Sequence, residues 1–88
     1  MVNKLPGEFG AALRVLRLAR GLKVYELAKK VGISAVYITQ IEKHNKLPSS
    51  AVMLKIHNEI NQVHLLKQYL KLKYPEMMDI IKAINKGS

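Results

Sequence analysis

Apolar residues recur along this chain at the three- and four-residue spacing of a helix face. No segment alternates over a useful length as a half-exposed strand would. Phe9, Ala12, Leu13, Leu16 and Ala19 form the first such face, and Arg14, Arg17 and Arg20 fall at spacing three away from it. Gly21 is placed to end this helix in a left-handed conformation. A second short helix is predicted from about Val24 to Val31, with Leu27, Ala28 and Val31 inward, and Gly32 interrupts it. Ser34 can cap a third helix, which carries Ile38 and Ile41 inside and ends around Lys43 or His44. A loop follows through Pro48. Ser49 or Ser50 caps a fourth helix with Val52, Met53, Ile56 and Ile60 inside. The fifth runs from about Val63 to Lys73 and carries Leu66, Tyr69, Leu70 and Tyr74. Pro75 fits the first position of a sixth helix, where Met78, Ile81 and Ile84 repeat at spacing three beside Met77 and Ile80. The end, Asn85-Lys86-Gly87-Ser88, reads as a frayed tail. The fold class is all-α: a compact bundle of five helices with an additional C-terminal helix.

The segment between Arg17 and Pro48 narrows this further. Two short helices joined by a tight glycine turn make a helix-turn-helix pattern. Gly32 supplies the positive φ that the turn needs, and Ala28 is small enough for the close crossing. Ile33, Ile38 and Ile41 anchor the second helix of the pair. Residues 13–60 resemble the Cro/C1-type (XRE-like) helix-turn-helix domains of phage and bacterial regulators. The matching stretches are Arg17-Leu18-Ala19-Arg20-Gly21-Leu22, Glu26 through Ser34, Ile38 through Lys43, and Pro48-Ser49.

The resemblance implies a lambda-repressor-like domain whose third helix, about Ser34 to Lys43, enters the major groove of double-stranded DNA. It implies that Arg17 and Glu42 form a structural salt bridge, and that Ala35, Val36 and Gln40 face base edges. Gln40 is the side chain suited to a bidentate contact with adenine; Ala35 and Val36 can meet only thymine methyls. A rotated helix, with Val36 packed inward, is the competing arrangement. Lys23, Ser34, Tyr37, Thr39, Lys43, Asn45 and Lys46 flank the two helices and are candidates for phosphate contacts. Two departures from the family stand out. Val24 stands where many members have Gln, and Lys43-His44 stands where many have Asn-Gly.

The charge fits this picture. The 88 residues contain 15 Lys+Arg and 6 Asp+Glu, a net charge of +9. Such self-repulsion is typical of a polyanion binder. Nine basic and three acidic residues precede Ser49, and six and three follow, so most of the excess lies in the part that resembles a DNA reader.

The remaining chemistry is mostly exclusion. Zero Cys rules out a disulfide scaffold, a thiol nucleophile and a cysteine zinc site. His57 and His64 have no acidic cluster beside them to complete a metal site. No phosphate-binding glycine loop, nucleophile–base spacing or paired carboxylate motif is present, so no enzyme, metal or cofactor is expected. No apolar run approaches the roughly 20 residues that span a bilayer. Residues 1–8 hold no apolar leader, so a cytoplasmic, nucleoid-associated protein with no membrane partner is expected.

A single domain, 1–88, is expected, with a helix-turn-helix core over 8–60 and C-terminal helices over 61–86. The many apolar residues of that second part imply either a dimer interface or a sixth helix folded back as a lid. The interface reading selects Leu66, Tyr69, Leu70, Met77, Ile80, Ile81 and Ile84. Together these readings give a transcriptional regulator, a homodimeric repressor on a palindromic operator. The alternative is a protein-interaction module of the same fold, antitoxin-like or antirepressor-like, with DNA binding secondary or absent.

Overall fold

The apolar faces condense into six helices: α1 (Phe9–Ala19), α2 (Val24–Val31), α3 (Ala35–His44), α4 (Ser50–Ile60), α5 (Val63–Lys73) and α6 (Pro75–Gly87). The computed structural model describes residues 5–87; Ser88 of the predicted tail lies outside the described residues, as do residues 1–4. Among the described residues there is no strand. The bundle therefore has six helices, and α6 continues through Asn85 to Gly87 where the sequence predicts fraying.

The helix ends follow from local chemistry. Gly21 (φ 68°) and Gly32 (φ 82°) take the left-handed conformation after α1 and α2. Ser34 Oγ accepts the Tyr37 N–H at 3.1 Å, and Ser49 Oγ accepts the Val52 N–H at 3.2 Å, so Ser49 is the cap of α4. Glu26 caps α2 from inside the helix: its carboxylate accepts the Lys23 N–H at 2.8 Å. Two asparagines, Asn45 (φ 55°) and Asn61 (φ 51°), terminate α3 and α4 in the left-handed region that asparagine tolerates.

The core joins α1 through α5. Ala12, Leu13, Leu27, Ile38, Ile41, Ile56 and Ile60 are wholly inaccessible. It continues beyond residue 60, because Leu65 and Tyr69 of α5 are buried within it. Leu66 and Leu70 pack half-buried against its edge. Tyr69 is thus a core residue and not part of an exposed interface. Its ring meets Phe9 at 5.8 Å, and its hydroxyl donates to the Pro48 carbonyl at 2.8 Å. The α5 helix turns Leu65 inward, while Tyr74 stands exposed at its end.

Two contacts fix α1. Gln68 Nε2 donates to the Pro6 carbonyl at 2.7 Å, holding the entry segment on α5. At Gly10 the backbones of α1 and α3 meet. A Cβ there would overlap the Ile41 carbonyl oxygen and lie 3.2 Å from Glu42 Cα. Those obstructing atoms are backbone, so the helices themselves would have to separate. Gly10→Ala is expected to destabilise the domain by about 1–3 kcal/mol, read as a lower urea midpoint. An unchanged midpoint would mean that α1 and α3 separate without cost.

Candidate nucleic-acid interface

Position comes before chemistry at α3. This helix packs on α1 and α2. Ile38 and Ile41 are buried, while Ala35 and Val36 are exposed; Val36 is 67% accessible. The register is therefore the outward one, and the rotated arrangement with Val36 inside is not adopted.

The last turn of α3 is fastened to α1 by a buried ion pair. Arg17 Nε donates to Glu42 Oε2 at 2.8 Å and Nη2 to Oε1 at 3.0 Å, a bidentate geometry. Arg17 Nη1 donates to the Leu22 carbonyl at 2.7 Å, which adds the turn before α2 to the same clamp. The two side chains are only 7% and 3% exposed. Arg20 is also spent on structure, donating to the Ile60 carbonyl at the end of α4. Neither arginine is free for a ligand.

The outward surface is polar and cationic at its rim. Gln40 is half-buried, and its Oε1 accepts from Lys46 Nζ at 3.2 Å. The same ammonium sits 4.5 Å above the Tyr37 ring. Lys23, Ser34, Lys43 and Asn45 are exposed, and Thr39 is half-buried. Ser34 and Asn45 act first as caps of α3. The loop after α3 is gripped by three tyrosine hydroxyls on consecutive residues. Tyr69 holds Pro48 O, Tyr37 accepts the Ser49 N–H at 3.3 Å, and Tyr74 lies 3.0 Å from Ser50 Oγ.

The structure adds Gly10, and it brings Tyr74, Ser50 and Lys73, which the sequence marks only as helix-face, cap and helix-end positions, to the edge of this loop. A glycine inside the predicted span of α1 is a sequence sign of close backbone approach. Nothing in the spacing of Tyr37, Tyr69 and Tyr74 announces that they converge.

No group of His, Asp or Glu among the described residues could hold a metal ion. No helix there is long and apolar enough to cross a membrane. The 320 Å³ hollow between α1 and the loop after α3 is lined by Gly7, Glu8, Phe9, Gly10, Asn45, Lys46, Leu47 and Leu72. These residues contain no nucleophile–base pair.

Two short helices crossing at a glycine turn, with the second presenting Ala35, Val36 and Gln40 inside a cationic rim, define a helix-turn-helix DNA-binding module. A family model described as helix-turn-helix matches residues 13–68, and the chain belongs to this Cro/C1-type (XRE) family of DNA-binding regulators. No curated protein and no solved structure matched the chain.

Removing one partner of the buried pair leaves an uncompensated charge. Arg17→Ala is expected to cost about 3–5 kcal/mol, enough to unfold much of a domain this small. The double variant Arg17→Met/Glu42→Leu is expected to recover most of that loss in thermal denaturation monitored by circular dichroism. A single variant as stable as wild type would show that the pair holds nothing.

Proposed function

We propose that this protein is a sequence-specific, homodimeric transcriptional repressor that inserts α3 into the major groove of a palindromic operator. The observation that carries the reading is the outward face of α3. Ala35 and Val36 stand open to the groove, and Gln40 is held between them and the loop by Lys46. On this reading Gln40 reads an adenine, donating to N7 and accepting from N6. Ala35 and Val36 meet thymine methyls. Lys23, Ser34, Tyr37, Thr39, Lys43, Asn45 and Lys46 bound the phosphate track. On this reading, occupancy of the operator represses by occlusion.

Support for a dimer comes from α6. Among the described residues it packs chiefly on α5. Met77, Ile80, Ile81 and Ile84 occupy one helix face by their spacing. They are 50, 60, 39 and 63% accessible. Burying such a side chain is worth roughly 1.5–3 kcal/mol, and a stripe of them on each of two copies is self-complementary in the manner of a two-fold interface. Leu66 and Leu70 can contribute only at the edge, being half-buried already. A two-fold pair would span two half-sites centred about 34 Å apart or a multiple of it.

Selection of bound duplexes from a random pool tests base readout. Gln40→Ala is expected to cost about 1–3 kcal/mol at one base pair and to relax preference there. Lys46 touches Gln40, so its loss would loosen readout as well as charge; Lys43→Ala is the cleaner probe of phosphate contact. It is expected to weaken all sequences alike and to lower the salt slope by about one. Equal affinity of wild type for all duplexes would remove the sequence-specific claim.

For assembly, Ile80→Glu/Ile84→Glu is expected to sediment as a monomer where wild type sediments as a dimer. A wild-type monomer well above micromolar concentration would overturn the dimer. A heterologous protein held by an intact α6 face would then favour the interaction-module reading.

A further inference from the structure

We infer that the phosphate track leaves the helix-turn-helix unit and continues onto the α5–α6 junction, where Lys73 and Tyr74 contact the DNA backbone beside Lys46 and Tyr37. The inference rests on the DNA-binding reading of α3. It extends that reading past residue 68, where the match to the family model ends.

Three tyrosine hydroxyls meet residues 48–50, where the loop after α3 enters α4. Tyr37 accepts from the Ser49 N–H, so its own phenolic proton is left to donate outward. Tyr74 and Ser50 share one hydrogen bond, which uses one of their two protons and leaves the other. Two ammonium groups stand against the same rings. Lys46 lies over Tyr37, and Lys73 lies 5.4 Å from the Tyr69 centroid and 5.8 Å from that of Tyr74. The Tyr69 hydroxyl, foremost, and the fields of Tyr69, Tyr74 and Tyr37 raise the Lys73 pKa above its ordinary value, against a smaller lowering by desolvation. No carboxylate is among the groups acting on it.

Lys73 belongs to the last turn of α5, yet it stands over the ring of Tyr69, whose hydroxyl holds Pro48, the neighbour of the Ser49 N–H that Tyr37 of α3 accepts. The result is a row of outward donors and cations drawn from α3, the loop, α4 and α5. Their internal hydrogen bonds are already made, and charge-assisted donors of this kind match phosphate oxygens. A rim contact from Lys43 and Lys46 alone would end at the loop. Ser50 and Tyr74 carry the same surface one element further. The junction accordingly belongs with the DNA-facing side of the domain, and the apolar stripe of α6 begins after it, at Met77.

Binding to a mixed-sequence DNA duplex over a range of salt concentrations tests this, because phosphate contacts are independent of sequence. Lys73→Ala is expected to lower the slope of log affinity against log salt by about one per bound chain, and Lys73→Arg to restore it. Tyr74→Phe keeps the ring and removes the hydroxyl. It is expected to weaken binding several-fold with the slope unchanged, and it covers the case in which Lys73→Ala fails to fold. Lys55→Ala removes the same charge elsewhere on α4 and is expected to leave the slope as it is.

A wild-type slope in folded Lys73→Ala, with full affinity in Tyr74→Phe, would overturn the inference while leaving the α3 reading intact. An equal loss of slope in Lys55→Ala would also overturn it, as a general effect of charge. Failure of the wild-type protein to bind any duplex would remove both readings.

Discussion

The bidentate pair of Arg17 and Glu42 is the constraint on which the rest of the structure depends. It is almost free of solvent, and its guanidinium also holds the Leu22 carbonyl. One side chain thereby ties three places together: the body of α1, the turn leading into α2 and the last turn of α3. Gly10 and Arg17 are seven residues apart, two turns along one face of α1, and both act on the Ile41–Glu42 end of α3. Close backbone contact and ion pair thus form a two-point attachment. A helix held at two points keeps its rotation, and rotation decides which side chains α3 presents. In such a pair the desolvation penalty offsets much of the attraction. Its contribution is best understood as orientation enforced by the cost of any alternative.

Much of the fold was legible because each element carried its own punctuation. The spans of α2 and α5 follow from Val24, Val31, Val63 and Lys73, and Gly21 and Gly32 mark the turns after α1 and α2 by a requirement few other residues meet. Ile38 and Ile41 identify the inner face of α3, which leaves Ala35, Val36 and Gln40 outside by elimination. The Arg17–Glu42 pair came from the family resemblance; spacing alone shows two opposite charges 25 positions apart. Where reading failed, the deciding contacts were between elements. Tyr69 shares the period of Leu66 and Leu70 and looks equally available for an interface, yet its hydroxyl is matched to a carbonyl of the α3–α4 loop that no pattern could place beside it. Asn45 read as a possible phosphate ligand because it is polar and sits in the loop; it also holds a left-handed backbone. The core runs past residue 60 for a related reason: α5 contributes Leu65 and Tyr69 to the same core that α1 and α3 begin.

The distribution of positive charge is more selective than the total indicates. Arg17 and Arg20 are consumed by a carboxylate and carbonyls within the fold. The cations left around the outward face of α3 are lysines, whose single-point ammonium groups suit a phosphate better than a base edge. Sequence preference, on the proposed reading, rests on very few side chains, with Gln40 foremost.

That places weight on how Gln40 is held. Its amide oxygen already accepts from Lys46, and Lys46 rests on the Tyr37 ring. Fixing long side chains such as Gln and Lys costs up to about 1.5–2 kcal/mol each in rotamer freedom. Here part of that ordering occurs on folding, before any ligand arrives. On the proposed reading, the consequence is one of rigidity under error: an amide whose freedom is already reduced adjusts less readily to a mismatched partner, so the wrong base pair meets a group left unsatisfied.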